Sequence, residues 1–268
     1  MKRKHIFNLI GCTFLMLLMA SSCLQAKSAK QFIDNEKQFA GSSIQVVPTK
    51  YDPYTPFIII DKDGYTNIRE KPDANSKIVG KINKYQLFFS IDGDFCGSGM
   101  FATDNWEPIE SDGNPNGYIY KKNILRIDSL PYLMQKENSN FTLSSDSTAI
   151  IVIANDSIQI TMRLQPFNKY NHSNSPYGGS SDDIKENIDY NIKTEIKEIE
   201  IVCNGQKTIL PKDKIYEYCD IGYMGAWVGF DGEIYFTMGG GSQAAWYGVW
   251  FSIVGGEIVY ETMINNCW

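Results

Sequence analysis

The sequence predicts a mainly β protein: a small all-β unit, followed by an antiparallel sheet domain with one short helix. Three observations predict it. Many short apolar runs of strand length alternate with turn formers between residues 57 and 128. Two hairpin signals follow, Asn155-Asp156 and Asn204-Gly205, each between β-rich runs. A meander then turns at Asp231-Gly232, Gly239-Gly240-Gly241 and Gly255-Gly256.

The elements are read in order. Residues 1–22 carry Lys2, Arg3 and Lys4, an apolar stretch from Ile6 to Ala20, and the small residues Ser21 and Ser22. That is the anatomy of a secretory signal peptide, too short and wrongly flanked for a membrane span. Ala20-Ser21-Ser22-Cys23 resembles a lipobox, so Cys23 is the expected lipidation site. An ordinary cut after Ser22 or Ala26 is the alternative. Residues 23–56 read as a tether, with Pro48, Pro53 and Pro56 biasing it to extended backbone.

The first domain is expected over 57–128. Strands are expected at 57–60 and 66–69, two more between Ile78 and Ile91, and others at 106–109, 118–119 and 124–127. Asp61–Gly64, 72–76, 92–104 and 112–116 are the turns and loops between them. Residues 129–140, around Pro131, read as a linker. The second domain is expected over 141–268. Its hairpins are 148–154 with 157–164, and 195–202 with 207–210. Pro211 opens a short helix reaching Cys219. Strands at 226–230, 233–238, 246–254 and 257–264 complete a sheet.

Charge narrows the partners. The chain holds 25 basic and 31 acidic side chains, a net charge of −6. Residues 1–22 contain three basic and no acidic side chains, so their removal moves the balance to −9. No basic run tracks a phosphate backbone, which argues against nucleic acid.

The residue types needed for common hydrolases are scarce. Beyond His5 the only histidine is His172, in a polar loop. No Cys has the motif context of a nucleophile at a helix start, which argues against a Cys–His pair, and a zinc ligand set cannot be assembled. Glu195, Glu198 and Glu200 could supply a carboxylate pair for glycoside cleavage, but the pattern reads first as a solvated sheet face. Asp61-Lys62-Asp63-Gly64 reads as a turn, since Thr66 and Pro72 stand where a calcium loop needs Gly and Glu. Gly239-Gly240-Gly241-Ser242 also reads as a turn or bulge, with no Gly-Lys-Ser/Thr to make a phosphate loop. Neither a cofactor nor a metal is expected. Cys96, Cys203, Cys219 and Cys267 form no Cys-x-x-Cys pair. A Cys219–Cys267 disulfide is one expectation and four buried free thiols the other.

Aromatic residues are crowded into the first domain: Tyr65, Tyr85, Phe88, Phe89, Trp106, Tyr118 and Tyr120. A unit this small cannot bury them all, so an exposed aromatic groove competes with the core for Tyr65, Trp106 and Tyr118. Trp227, Trp246, Tyr247, Trp250 and Tyr260 read first as core of the second domain, with another aromatic surface as the alternative.

Asp63-Gly64-Tyr65, Asn67-Ile68-Arg69, Pro72, Ile78-Val79-Gly80 and Gly117-Tyr118-Ile119 together resemble a bacterial SH3 (SH3b) domain. The resemblance spans about 70 residues and implies that the first domain is an SH3-like barrel. It implies binding of cell-wall peptide, glycan or a protein ligand, without catalysis. Tyr65, Arg69, Trp106 and Tyr118 are the candidate ligand-binding residues. The second domain is similar to C-terminal regions of exported Bacteroidetes-type proteins, which implies no activity. The expectation is therefore a lipoprotein of the periplasm or outer membrane that binds a peptidoglycan fragment or an envelope protein. The alternatives are an immunity or inhibitor protein directed at a toxin or lytic enzyme, and a divergent glycan hydrolase.

Overall fold

The structure is a computed structural model, described over residues 55–92, 99–137, 139–144, 148–168, 192–215, 218–240 and 247–264. Residues 51–268 form one compact unit. The mainly β expectation holds: among the described residues there are several antiparallel sheets and one short α-helix.

The N-terminal half contains β1 (Phe57–Ile59), β2 (Tyr65–Arg69), β3 (Ile78–Asn83), β4 (Phe89–Ser90), β5 (Trp106–Glu110), β6 (Gly117–Tyr120) and β7 (Ile124–Arg126). Five of them form one sheet in the order β3-β2-β6-β5-β4, and β1 pairs with β7. A bridge from Phe57 to Phe88 ties β1 to the residue preceding β4. Period-two alternation sends Thr66 and Ile68 inward and leaves Tyr65, Asn67 and Arg69 on the outer face. Ile59, Ile68, Ile82, Phe88, Ile109, Ile119 and Ile124 fill the interior.

Two sheets make up the C-terminal half. The first holds β8 (Met134–Gln135), β9 (Ala149–Ala154), β10 (Ile158–Pro166), β11 (Thr194–Cys203) and β12 (Gln206–Ile209), in the order β12-β11-β10-β9-β8. The second is a meander of β13 (Ile221–Val228), β14 (Ile234–Gly240), β15 (Tyr247–Val254) and β16 (Glu257–Ile264). The helix α1 (Lys212–Ile215) links the two and buries Ile215. Both predicted hairpins form. Asn204 (φ 50°) and Gly205 (φ 80°) make the tight turn of one. In the other, the Asn155 side-chain oxygen accepts the N–H groups of Ser157 and Ile158.

The irregular alternation of Ile196, Ile199 and Ile201 has a local cause. The β10–β11 register shifts between Arg163 and Leu164, so Lys197 is an extra residue. This bulge returns Ile196 to the core face with Ile199 and Ile201.

Nearly every described residue of β14 and β15 is buried, because their sheet is covered on both faces. Ile234, Phe236, Met238, Val249, Phe251 and Ile253 face the first C-terminal sheet in one core. Tyr235 and Trp250 face the other way, packing with Ile58, Leu87, Ile127 and Leu130 of the preceding chain. Trp227 and Tyr260 flank this seam, and Trp227 stacks on Trp250 with ring centroids 5.2 Å apart. Polar contacts close its ends. The Ser252 hydroxyl donates to the Tyr85 carbonyl at 2.6 Å, and Lys84 pairs with Asp231 at 2.5 Å. The Trp250 indole N–H is buried there without a hydrogen-bond partner.

Three expectations change. The segment 129–140, read as a linker, is structural. Leu130 and Leu133 are buried, and Tyr132 bridges to Trp227. The Leu133 N–H donates to Ala226, and the Val228 N–H donates to Pro131. The segment thus lines the β13 edge before entering the other sheet as β8, satisfying backbone groups that an edge would leave bare. Gly239 and Gly240, read as a turn or bulge, end β14 as strand, opposite a register shift between Ile221 and Tyr223 on β13. A Cβ on Gly240 would lie 2.0 Å from the Asp220 carbonyl oxygen, so close strand approach explains this glycine. Finally, the helix does not reach Cys219, which instead forms a β-bridge with Glu195.

Candidate functional site

A cleft of about 630 Å³ opens on the N-terminal half, lined by Thr66, Asn67, Arg69, Pro72, Asp73, Ala74, Asn105, Trp106, Tyr120 and Asn123. Its origin lies in strand pairing. The ladder between β2 and β6 is one residue pair long, Arg69 opposite Tyr118. Continued two residues further, it would set Asn67 against Tyr120, and both of these line the cleft instead. Where the strands stop pairing, the Asn123 side-chain amide reaches the Thr66 hydroxyl at 3.1 Å and closes one end.

The aromatic wall comes from β5 and β6. Trp106 stands opposite Tyr120 in the register, with ring centroids 5.4 Å apart and planes tilted by 55°. Both are half-buried, so each keeps part of its surface open to solvent. The Trp106 strand is pinned by reciprocal bonds with Thr103, and the Lys121 N–H donates to the Asn105 carbonyl.

The opposite wall is the loop after β2. Arg69 donates from Nη1 to the Ser76 carbonyl at 2.6 Å. The Lys71 N–H donates to the Ser76 hydroxyl, and Asp73 accepts the Asn75 N–H at 2.8 Å. Loop and guanidinium therefore hold each other in place. Among the described residues no carboxylate lies within ion-pairing distance of Arg69. Among the described residues Asp73 is the one carboxylate in the lining.

Of the four predicted ligand-binding residues, Arg69 and Trp106 come together in this cleft. Tyr65 and Tyr118 do not line it. Tyr65 is 37% exposed, with the Lys81 ammonium 3.6 Å from its ring centroid. Tyr118 is half-buried between Arg69 and Pro108 in the register. Tyr120, Asn67, Asn105 and Asn123 line the cleft without being among the four predicted ligand-binding residues. The period-two pattern carries a signal for Tyr120, which shares the Tyr118 face, and for Asn67, which shares the Arg69 face.

The remaining candidates fall elsewhere. Cys219 is a free thiol, fully buried, and the bridge expected from it to Cys267 is not formed there. Burial, with Asp220 and Glu195 nearby, pushes that thiol far above its usual range. Glu198 and Glu200 ion-pair with Arg163 on the outer sheet face, and Glu200 also with Lys207. Glu195 is not on a solvated face. It is buried and accepts from the Gln165 amide and the Asn168 N–H. Asp61–Gly64 is a turn, with the Gly64 N–H donating to the Asp61 carbonyl. Among the described residues no cluster of three or more His, Cys, Asp or Glu could hold a metal. Cys23, Cys96, His172, Trp246 and Cys267 lie outside the described residues.

No protein-family model matches the chain, and no curated protein matches it either.

Proposed function

We propose that the chain is a non-catalytic binding protein of the cell envelope. In this reading residues 57–128 are an SH3b-type module whose cleft takes a peptidoglycan fragment. Residues 1–22 direct export, and a lipid on Cys23 anchors the protein in the periplasm or outer membrane. One observation carries the reading: the Trp106–Tyr120 pair forms a half-exposed platform facing Arg69 across a preformed cleft. Aromatic faces bury sugar rings and peptide stems well, at little conformational cost to the protein. The amides of Asn67, Asn105 and Asn123 surround the platform with both donors and acceptors, as hydroxyl and peptide groups require. A single lining carboxylate favours binding over glycoside cleavage, which ordinarily needs two.

The test uses the chain from residue 24, since the seam makes isolated halves poor reagents. It should co-sediment with purified sacculi, and Trp106→Ala should reduce binding about tenfold or more while the fold is retained. Sedimentation that is unchanged in Trp106→Ala, or absent from the parent chain, refutes the reading.

A further inference from the structure

Building on the reading of the cleft as a binding site, we infer that it recognises a free carboxylate, held by Arg69 while the rest of the ligand lies on Trp106 and Tyr120.

The argument starts with the guanidinium. Arginine carries five N–H donors in a rigid fork. Here Nη1 is turned back to the Ser76 carbonyl, so the group is fixed in direction while other donors remain. It is half-buried, and among the described residues no carboxylate neutralises it. A partly desolvated, preoriented cation without a counter-ion is suited to a planar oxyanion, which guanidinium meets with two parallel hydrogen bonds. The surrounding chain is acidic, with net charge −6, so this local cation runs against the general field.

Asp73 decides which anion. It lines the same cleft, with one oxygen occupied by the Asn75 N–H. The lining itself holds one cation, Arg69, and one carboxylate, Asp73. The Lys122 ammonium, 5.9 Å from the Tyr120 ring centroid, adds a cation on the aromatic side, and a doubly charged phosphate would still meet more Asp73 repulsion than a singly charged carboxylate. A single carboxylate on the Arg69 side is accommodated. The aromatic pair adds a requirement for an apolar or ring-bearing body next to that carboxylate. Envelope polymers offer this chemistry from two sources, the C-terminus of a stem peptide and the lactyl acid of a muramic sugar from which the peptide has been removed.

The experiment titrates the chain from residue 24 with two matched pairs of probes by calorimetry or NMR. One pair is N-acetyl-Lys-D-Ala-D-Ala as free acid and as C-terminal amide. The other is N-acetylmuramic acid and N-acetylglucosamine. The acid of at least one pair should bind about tenfold more tightly than its neutral partner. That preference should collapse in Arg69→Gln, checked for folding by its melt, and should weaken with salt. The pair that shows the preference identifies the source. Equal binding of acid and neutral probes overturns the inference without involving any variant. So does an acid preference that survives in folded Arg69→Gln. Absence of binding by all four probes, with sacculi still bound, overturns the carboxylate inference alone. Absence of both overturns the cleft reading beneath it.

Discussion

Leu87→Ala removes a side chain that is 1% exposed, at the seam between the N-terminal half and the β13–β16 sheet. Its seam partners include Ile58, Ile127, Tyr235 and Trp250. The large rings cannot collapse into the vacated space without breaking the Trp227–Trp250 stack. The cost should therefore fall within the usual range for buried Leu→Ala, about 2–5 kcal/mol. Taking ~3 kcal/mol, and ~2–4 °C per kcal/mol for a unit of this size, Tm should drop by about 6–12 °C. The assay is scanning calorimetry on the chain from residue 24. If the seam joins the halves into one cooperative unit, parent and variant each show one transition, and the whole transition moves. Two resolved transitions in the parent, or a shift confined to part of the heat absorption, would refute the reasoning. Either would mean that the halves unfold separately and that the seam contributes little.

Gly117→Ala should lower the urea midpoint, by about 1–3 kcal/mol of stability. A Cβ there would stand 2.6 Å from the Arg69 carbonyl oxygen and 2.5 Å from Ile68 Cγ2. The backbone oxygen cannot rotate away, so an unchanged midpoint would show that β6 can slide off β2. Glu200→Gln tests an electrostatic contribution. Lys207, 2.6 Å away, holds the Glu200 carboxyl below its ordinary range, with Arg163 adding to the effect. A lowered folded value means stability present above the unfolded value and lost as pH falls through the folded one. Parent and variant should therefore differ at pH 7 and converge near pH 3. Lys207 is 57% exposed, so the difference should stay below ~1 kcal/mol. A gap that widens on acidification would contradict the sign.

Local elements were legible because local chemistry decides them. The Asn204-Gly205 hairpin follows from two residues that accept positive φ, and β2 from alternation around Ile68. What sequence could not reveal depends on partners far along the chain. Gly239 and Gly240 look like a turn or bulge, yet they sit where Tyr223 and Asp220 press on the strand. Pro131 looks like the centre of a linker, yet its carbonyl accepts from Val228, nearly one hundred residues away. The cleft was half legible. Arg69 and Trp106 stood out by type and motif, and both line it. Tyr120 shares the Tyr118 face by alternation, but its pairing with Trp106 needed the β5–β6 register.

The seam also constrains the order in which this chain can be completed. Ser252 reaches back 167 residues to the Tyr85 carbonyl, and Trp250 meets Leu87 across a similar span. During synthesis the N-terminal half emerges first, and its apolar Ile58–Leu87–Ile127 surface has no cover until β14 and β15 follow. The β8–β12 sheet waits for the same two strands. Closing such long loops is slow, and apolar surface left open in the interval invites association between chains. The last quarter of the polypeptide is thus a keystone: both earlier layers stay incomplete until it arrives, and a chain cut short before Ile234 would leave both faces without the strands that cover them.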